Sequence, residues 1–212
     1  MKKVNYEIEV IASNCTGCYL CEQICPTGAI VMEGPKSKAL AVVDNDKCVA
    51  CFRCVDICAD DALLAPERST PLVFGTDVKS VDPAAIADLC LRAGIDPNRM
   101  ACPCSMTSVQ ETAAAILLGA HTMEAVALAT GSQSGCLMYC FAPIHRLLST
   151  QLGHPPEPPT KHKWYNTSMM LSDVSDEVAS QHPKFYMCEE KETMRHEREK
   201  AASAMAPNRP IP

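Results

Sequence analysis

The sequence is short of the residues that usually fill a protein core: Phe, Trp and Tyr make up 5% of the 212 residues, with a single Trp. A core built on aromatic packing is therefore excluded for much of the chain, and another agent must organise it. Long apolar runs are missing as well. The opening segment MKKVNYEIEVIAS has two lysines, but Glu7 and Glu9 stand where the apolar stretch of a secretion signal would lie. The least polar stretch, Thr112 to Thr130, is broken by Gly119, His121 and Glu124, so no membrane-spanning helix and no direct membrane insertion are expected. Nor is there a basic run. The 19 Lys and Arg against 25 Asp and Glu give a net charge of -6, which disfavours nucleic acid as a ligand. The chain also lacks a Gly-rich phosphate loop, a nucleophile signature and an H-E-x-x-H motif, so no catalytic site of its own is expected.

What the chain has in quantity is cysteine, 14 in all. With no secretion signal a cytoplasmic location is expected, where thiols stay reduced and act as metal ligands or redox groups rather than as disulfides. Eight of them fall in an internal repeat of period 33 between Cys15 and Ala65. CTGCYLCEQICPTGAIVM aligns with CVACFRCVDICADDALLA, and each copy reads C-x2-C-x2-C-x3-C. Three thiolates two residues apart on a tight loop can wrap three corners of a cubane, while the fourth points toward the opposite cluster. A zinc module made of C-x2-C pairs would leave the third step, repeated in both halves, without a role. The alternating runs VNYEIEV, AIVME and ALAVVD read as strands of small antiparallel hairpins, with Gly34-Pro35 as the turn between halves.

On these motifs, residues 1 to roughly 66 resemble the bacterial two-cluster ferredoxins. The resemblance implies two [4Fe-4S] clusters, one held by Cys15, Cys18, Cys21 and Cys58 and the other by Cys48, Cys51, Cys54 and Cys25. Pro26 follows the fourth cysteine of the first copy as in that family, and Ala59 at the matching place is a departure.

From Asp82 the pattern turns helical. DPAAIADLCLRAG predicts a linker helix with Asp82 as N-cap, Pro83 at the first helical position and Gly94 as its stop, and Cys90 on it reads as a small buried apolar residue. Beyond it, ACPC and CLMYC place Cys102, Cys104, Cys136 and Cys140 on loops. Thr107 and Gln110 predict a capping box for the next helix, Thr122 caps another, and Pro143 sets the start of a third near Ala142. Helices with so little apolar bulk are marginal alone, a deficit that a metal at the loop end would offset.

The order C-x-C, two helices joined by GAHTMEAV, then TGSQSGC and a helix resembles the bacterioferritin-associated ferredoxin domain over residues 100–150. This implies a [2Fe-2S] cluster on Cys102, Cys104, Cys136 and Cys140. That family ends its motif in C-x2-C whereas this chain has C-x3-C, so a zinc or [4Fe-4S] site, or a vestigial set of free thiols, stays open beside it.

Past Leu152, GHPPEPPTKHKWYN opens an extended C-terminal arm expected to wrap a partner subunit through Trp164, Tyr165, Met169, Met170, Leu171, Phe185, Tyr186 and Met187, with a flexible tail or packing on its own domain as the alternative. CEEKETMRHEREKAASAM within it reads as a charged surface helix, the six histidines as surface or capping residues, and Cys188 as an orphan. The expected fold is α+β: a two-cluster ferredoxin domain over 1–80, a linker helix over 81–99, a small all-α helix-turn-helix iron–sulfur domain over 100–152 and the arm over 153–212. The expected function is that of an electron-transfer subunit. It would relay single electrons between a catalytic oxidoreductase subunit, flavin-dependent by the second resemblance, and an electron carrier of anaerobic metabolism. A free-standing ferredoxin and a metal-sensing or cluster-delivery module are the alternatives.

Overall fold

The computed structural model describes residues 1–36, 38–136, 138–157 and 170–205. Its N-terminal part runs β1 (Lys2–Tyr6), β2 (Glu9–Val10), α1 (Leu20–Ile24), β3 (Ile30–Glu33), β4 (Leu40–Val43), α2 (Arg53–Ile57), β5 (Leu63–Leu64) and β6 (Glu67–Phe74). The strands form antiparallel two-stranded sheets, β2 with β5, β3 with β4, and β1 with β6. A shift of 33 residues turns β2·β5 into the partner pair β4·β3, so each half supplies one strand to the other's sheet. The hydrogen bonds repeat at the same interval. Asp44 N donates to Ala29 O and Ile11 N to Ala62 O, both at 2.8 Å.

The repeat extends to backbone dihedrals. Gly17 and Ala50, Tyr19 and Phe52, and Gly28 and Asp61 all have positive φ. Tyr19 and Phe52 are the N-caps of α1 and α2, and the left-handed turn there lets the chain reverse into a five-residue helix. At Gly17 glycine is required twice over: φ is +72°, and a Cβ would stand 2.7 Å from the Ala39 carbonyl oxygen.

The second part comprises α3 (Pro83–Ala93), β7 (Met100–Cys102), β8 (Thr107–Ser108), α4 (Val109–Leu117), α5 (Met123–Thr130) and α6 (Phe141–Leu152). The expected caps hold at α3, where the Asp82 side chain accepts from Ala84 N and Gly94 closes the helix at φ 62°, and at α5, where Thr122 accepts from Ala125 N. The expected N-cap of α4 is displaced by one residue. Ser108 caps α4 by accepting from Glu111 N, whereas Thr107 lies in β8 with its hydroxyl buried against Thr130 O. Ser108 and Glu111 satisfy the same pattern, and the β7·β8 pairing, invisible to helical periodicity, decides between the two frames. The helix expected to link the domains packs Ile86, Leu89, Cys90 and Ala93 into one core with Ile116, Val126, Ile144, Leu147 and Leu148. Cys90 is fully buried there. His145, expected at the surface, is buried instead, stacked on Phe141 and 3.9 Å from Asp173.

The tail departs from an extended arm. Residues 171–173 and 183–185 form single 3-10 turns, followed in turn by α7 (Asp176–Gln181) and α8 (Met187–Met205). Ser175 caps α7, and Lys191 of α8 reaches Val174 O and pairs with Asp176. The expected charged helix is α8, and its Arg198 side chain lies against Gly94 at the end of α3. Trp164, Tyr165 and Met169, expected as anchors, lie outside the described residues.

Contacts among the described residues join the N-terminal part to the helices. Lys2 Nζ donates to Thr107 Oγ1 at 2.9 Å, to Glu111 Oε1 at 3.0 Å and to Thr130 O. Phe74 packs on Gly131, where any Cβ would meet its ring at 2.7 Å, and Thr76 Oγ1 donates to Ala129 O.

Candidate functional site

Each cysteine quartet begins on a loop that tightens into a short helix and ends at that helix's C-cap, Cys25 after α1 and Cys58 after α2. A C-cap cysteine leaves in the extended direction of the next strand, so its sulfur points away from its own loop. Two cavities result. One is lined by Cys15, Cys18, Cys21 and Cys58 and the other by Cys25, Cys48, Cys51 and Cys54. The space each one encloses is small, about 20 Å³. Leu63, Ala62 and Met32 close the first cavity, and Ile8, Ile30 and Phe52 the second, which makes both predominantly apolar.

Electrostatics groups the thiols in the same way. Burial, then the neighbouring Cys18 and Cys15, pushes Cys21 up to about 11. Burial also pushes Cys51 up to about 11, with Cys25 and Cys48 adding to it, and raises Cys48 and Cys54, each of which feels Cys25. These thiols are neutral near pH 7, so loading a cationic group releases protons. Backbone N–H groups already point at the sulfurs: those of Glu22, Ala50, Arg53 and Val55 at Cys21, Cys48, Cys51 and Cys54, and Ala62 N at Cys58 at 3.3 Å. Such donors favour the charged thiolate once it forms.

Among the described residues no three His, Cys, Asp or Glu side chains are gathered so as to hold a single metal ion. The quartets stand around a volume instead. Four thiols around an apolar cavity fit a multi-iron group with thiolate ligands.

The third set is built differently. Cys102 ends β7, Cys104 lies in the turn to β8, Cys136 in the loop after α5, and Cys140 is the N-cap of α6. The extra residue of C-x3-C falls in that loop, and α6 begins at Phe141 with Pro143 in its first turn. Cys102 and Cys140 are buried and hydrogen-bonded to each other; Cys104 and Cys136 are exposed and likewise joined. The Cys140 thiol donates to Cys102, which holds Cys102 well below the ordinary thiol value and Cys140 well above it. Cys136 also lies low, because the amides of Tyr139 and Met138 and the Cys104 thiol donate to it. The four thiols thus interact as two pairs, and Cys136 N donates to Cys104 Sγ at 3.5 Å.

Gly135, which sequence reasoning passed over, makes this possible. A Cβ there would lie 2.4 Å from Cys104 Cβ and 2.7 Å from its sulfur. The signal was a glycine directly before a candidate ligand. Arg53 was also missed. It sits between Cys51 and Cys54, donates to the Gly135 carbonyl, and keeps its Nε buried without a hydrogen-bond partner among the described residues. One side chain therefore spans from the second four-cysteine cavity to the loop of the third set. Cys188 is exposed on α8 and outside all three sets.

Paired four-cysteine cavities of this kind define a thiolate-ligated iron–sulfur module. Residues 6–62 match the 4Fe-4S dicluster domain family. No curated protein and no solved structure matches the chain significantly. The N-terminal part is thus a ferredoxin-type 4Fe-4S domain in an α+β protein, and that domain supports an iron–sulfur electron-transfer role. No helix among the described residues is long and apolar enough to cross a membrane.

Proposed function

We propose that the chain relays single electrons through three thiolate-held centres: a [4Fe-4S] cluster on Cys15, Cys18, Cys21 and Cys58, a second on Cys48, Cys51, Cys54 and Cys25, and a [2Fe-2S] cluster on Cys102, Cys104, Cys136 and Cys140. When bound, such clusters supply one-electron redox chemistry at potentials set by burial and by hydrogen bonds to sulfur. The observation that carries the reading is the crosswise lining of the two N-terminal cavities, three cysteines from one loop and one from the other. For the third centre the support is a set of four thiols in two interacting pairs, the donor number of a [2Fe-2S] cluster.

The protein's part is to fix spacing and environment. Arg53 holds the loop of the third set against the second cavity, which orders the relay from the first cavity through the second to the third set. At its far end Cys104 and Cys136 face solvent beside Met106, 79% exposed, and Met138, 78% exposed. An apolar rim around exposed ligands suits contact with a redox partner protein, and the resemblance of residues 100–150 points to a flavin-dependent oxidoreductase subunit in the cytoplasm. An anaerobic reductive titration of the full chain followed by EPR tests this. Reversible one-electron signals from both parts, broadened when neighbouring centres are both reduced, are expected. Absence of paramagnetic signals at every potential overturns it.

A further inference from the structure

The loop from Gly94 to Met100, the start of α6 and the outer turns of α8 enclose a cleft of about 560 Å³ that none of the cysteine sets uses. Small-molecule sites commonly span about 300–1,000 Å³. Three arginines face it, one from each wall: Arg99, Arg146 and Arg198. None of their guanidinium groups makes a hydrogen bond or an ion pair among the described residues, and Arg198 Nε is buried without an acceptor. Burial, then the Arg198 charge, holds the Arg146 guanidinium below its usual value.

The carboxylates at the cleft are already engaged. Asp96 accepts from Asn98 N at 2.9 Å and from its side chain at 3.2 Å, and Glu197 pairs with Lys200 at 3.1 Å. Residues 158–169 and 206–212, Ser37 and Leu137 include no Asp or Glu, so they bring no carboxylate side chain to the cluster. Like charges gathered in a partly dry cleft repel one another, and an anion between them reverses that cost. Planar guanidinium forks match phosphoryl oxygens in particular. Tyr139, Met100 and Met194 supply an apolar side to the same cleft, suited to a flat organic ring.

We propose that this cleft binds a phosphorylated small molecule, its phosphoryl oxygens held by Arg99, Arg146 and Arg198 and its organic part laid against Tyr139, Met100 and Met194. Binding there needs no metal and stands apart from what the cysteines hold. Its place gives it a route to the third set, because Tyr139 directly precedes Cys140 and its amide donates to Cys136.

The test is calorimetric titration of the anaerobically purified full chain with AMP and with inorganic pyrophosphate. Saturable binding of both at one site per chain is expected. Arg198→Gln should weaken it about tenfold or more, as loss of one charge-assisted donor does. Arg99→Gln, on the exposed rim where the fold does not depend on it, should act in the same direction, and Lys79→Gln, outside the cleft, should leave it unchanged. No binding of either probe at millimolar concentration, unchanged affinity in both arginine variants, or an equal loss in Lys79→Gln would overturn the proposal.

Discussion

The N-terminal domain and the α3–α6 helices both bury cysteines, but only the first makes them a large share of its core. In the first, Cys21, Cys25, Cys48 and Cys54 are members of the hydrophobic core itself, beside Ile8, Ile24, Ile30 and Leu63. Its small side chains leave two cavities where a conventional core would have aromatic rings. In the second, Leu89, Ile116, Val126, Ile144, Leu147 and Leu148 close a core that also holds Cys102 and Cys140, whereas Cys104 and Cys136 lie exposed outside it. The first region should therefore depend on its bound group for folding, and the second only for redox chemistry.

Metal removal exposes that difference most strongly. Chelation of iron under anaerobic reducing conditions should abolish amide protection in β2–β5 while α3–α6 keep theirs. Metal-binding free energies on the order of 10 kcal/mol exceed what so small a core can supply. Equal loss or equal retention in the two regions, read by hydrogen exchange, would remove the distinction. Next in size, Gly135→Ala forces a Cβ into Cys104 and should cost about two irons per chain, with both N-terminal clusters intact by EPR.

Smaller effects test the seam and the repeat. Lys2→Met removes three hydrogen bonds from a mostly buried ammonium and should lower stability by about 2 kcal/mol in denaturant unfolding. It should also separate the unfolding of the two regions into distinct transitions. Ala50→Gly places glycine where the first copy already has Gly17, and at φ 48° it should raise stability by about 1 kcal/mol. A loss of stability at that position would show that the two halves are not conformational copies.

The N-terminal half was legible because its information is periodic: the 33-residue repeat carries cysteine spacing, helix position and φ sign together, from Gly17/Ala50 to Gly28/Asp61. Elsewhere local signals were read in the correct place when one residue carried them, as at Asp82, Gly94 and Thr122. They slipped where two adjacent residues could serve, as with Thr107 and Ser108. What stayed hidden was tertiary. Nothing in the local sequence says that Arg53 reaches Gly135, that α3 joins the helical core, that His145 is buried, or that α8 folds back to Gly94. Those contacts join residues far apart in the chain, and no periodicity encodes them.

The most direct test is the iron, acid-labile sulfide and zinc content per chain of the full-length protein purified without oxygen. Thiols grouped as two cavity-lining quartets and one set of two pairs predict about ten irons with matching sulfide and no zinc. A folded, colourless protein without iron would contradict the account.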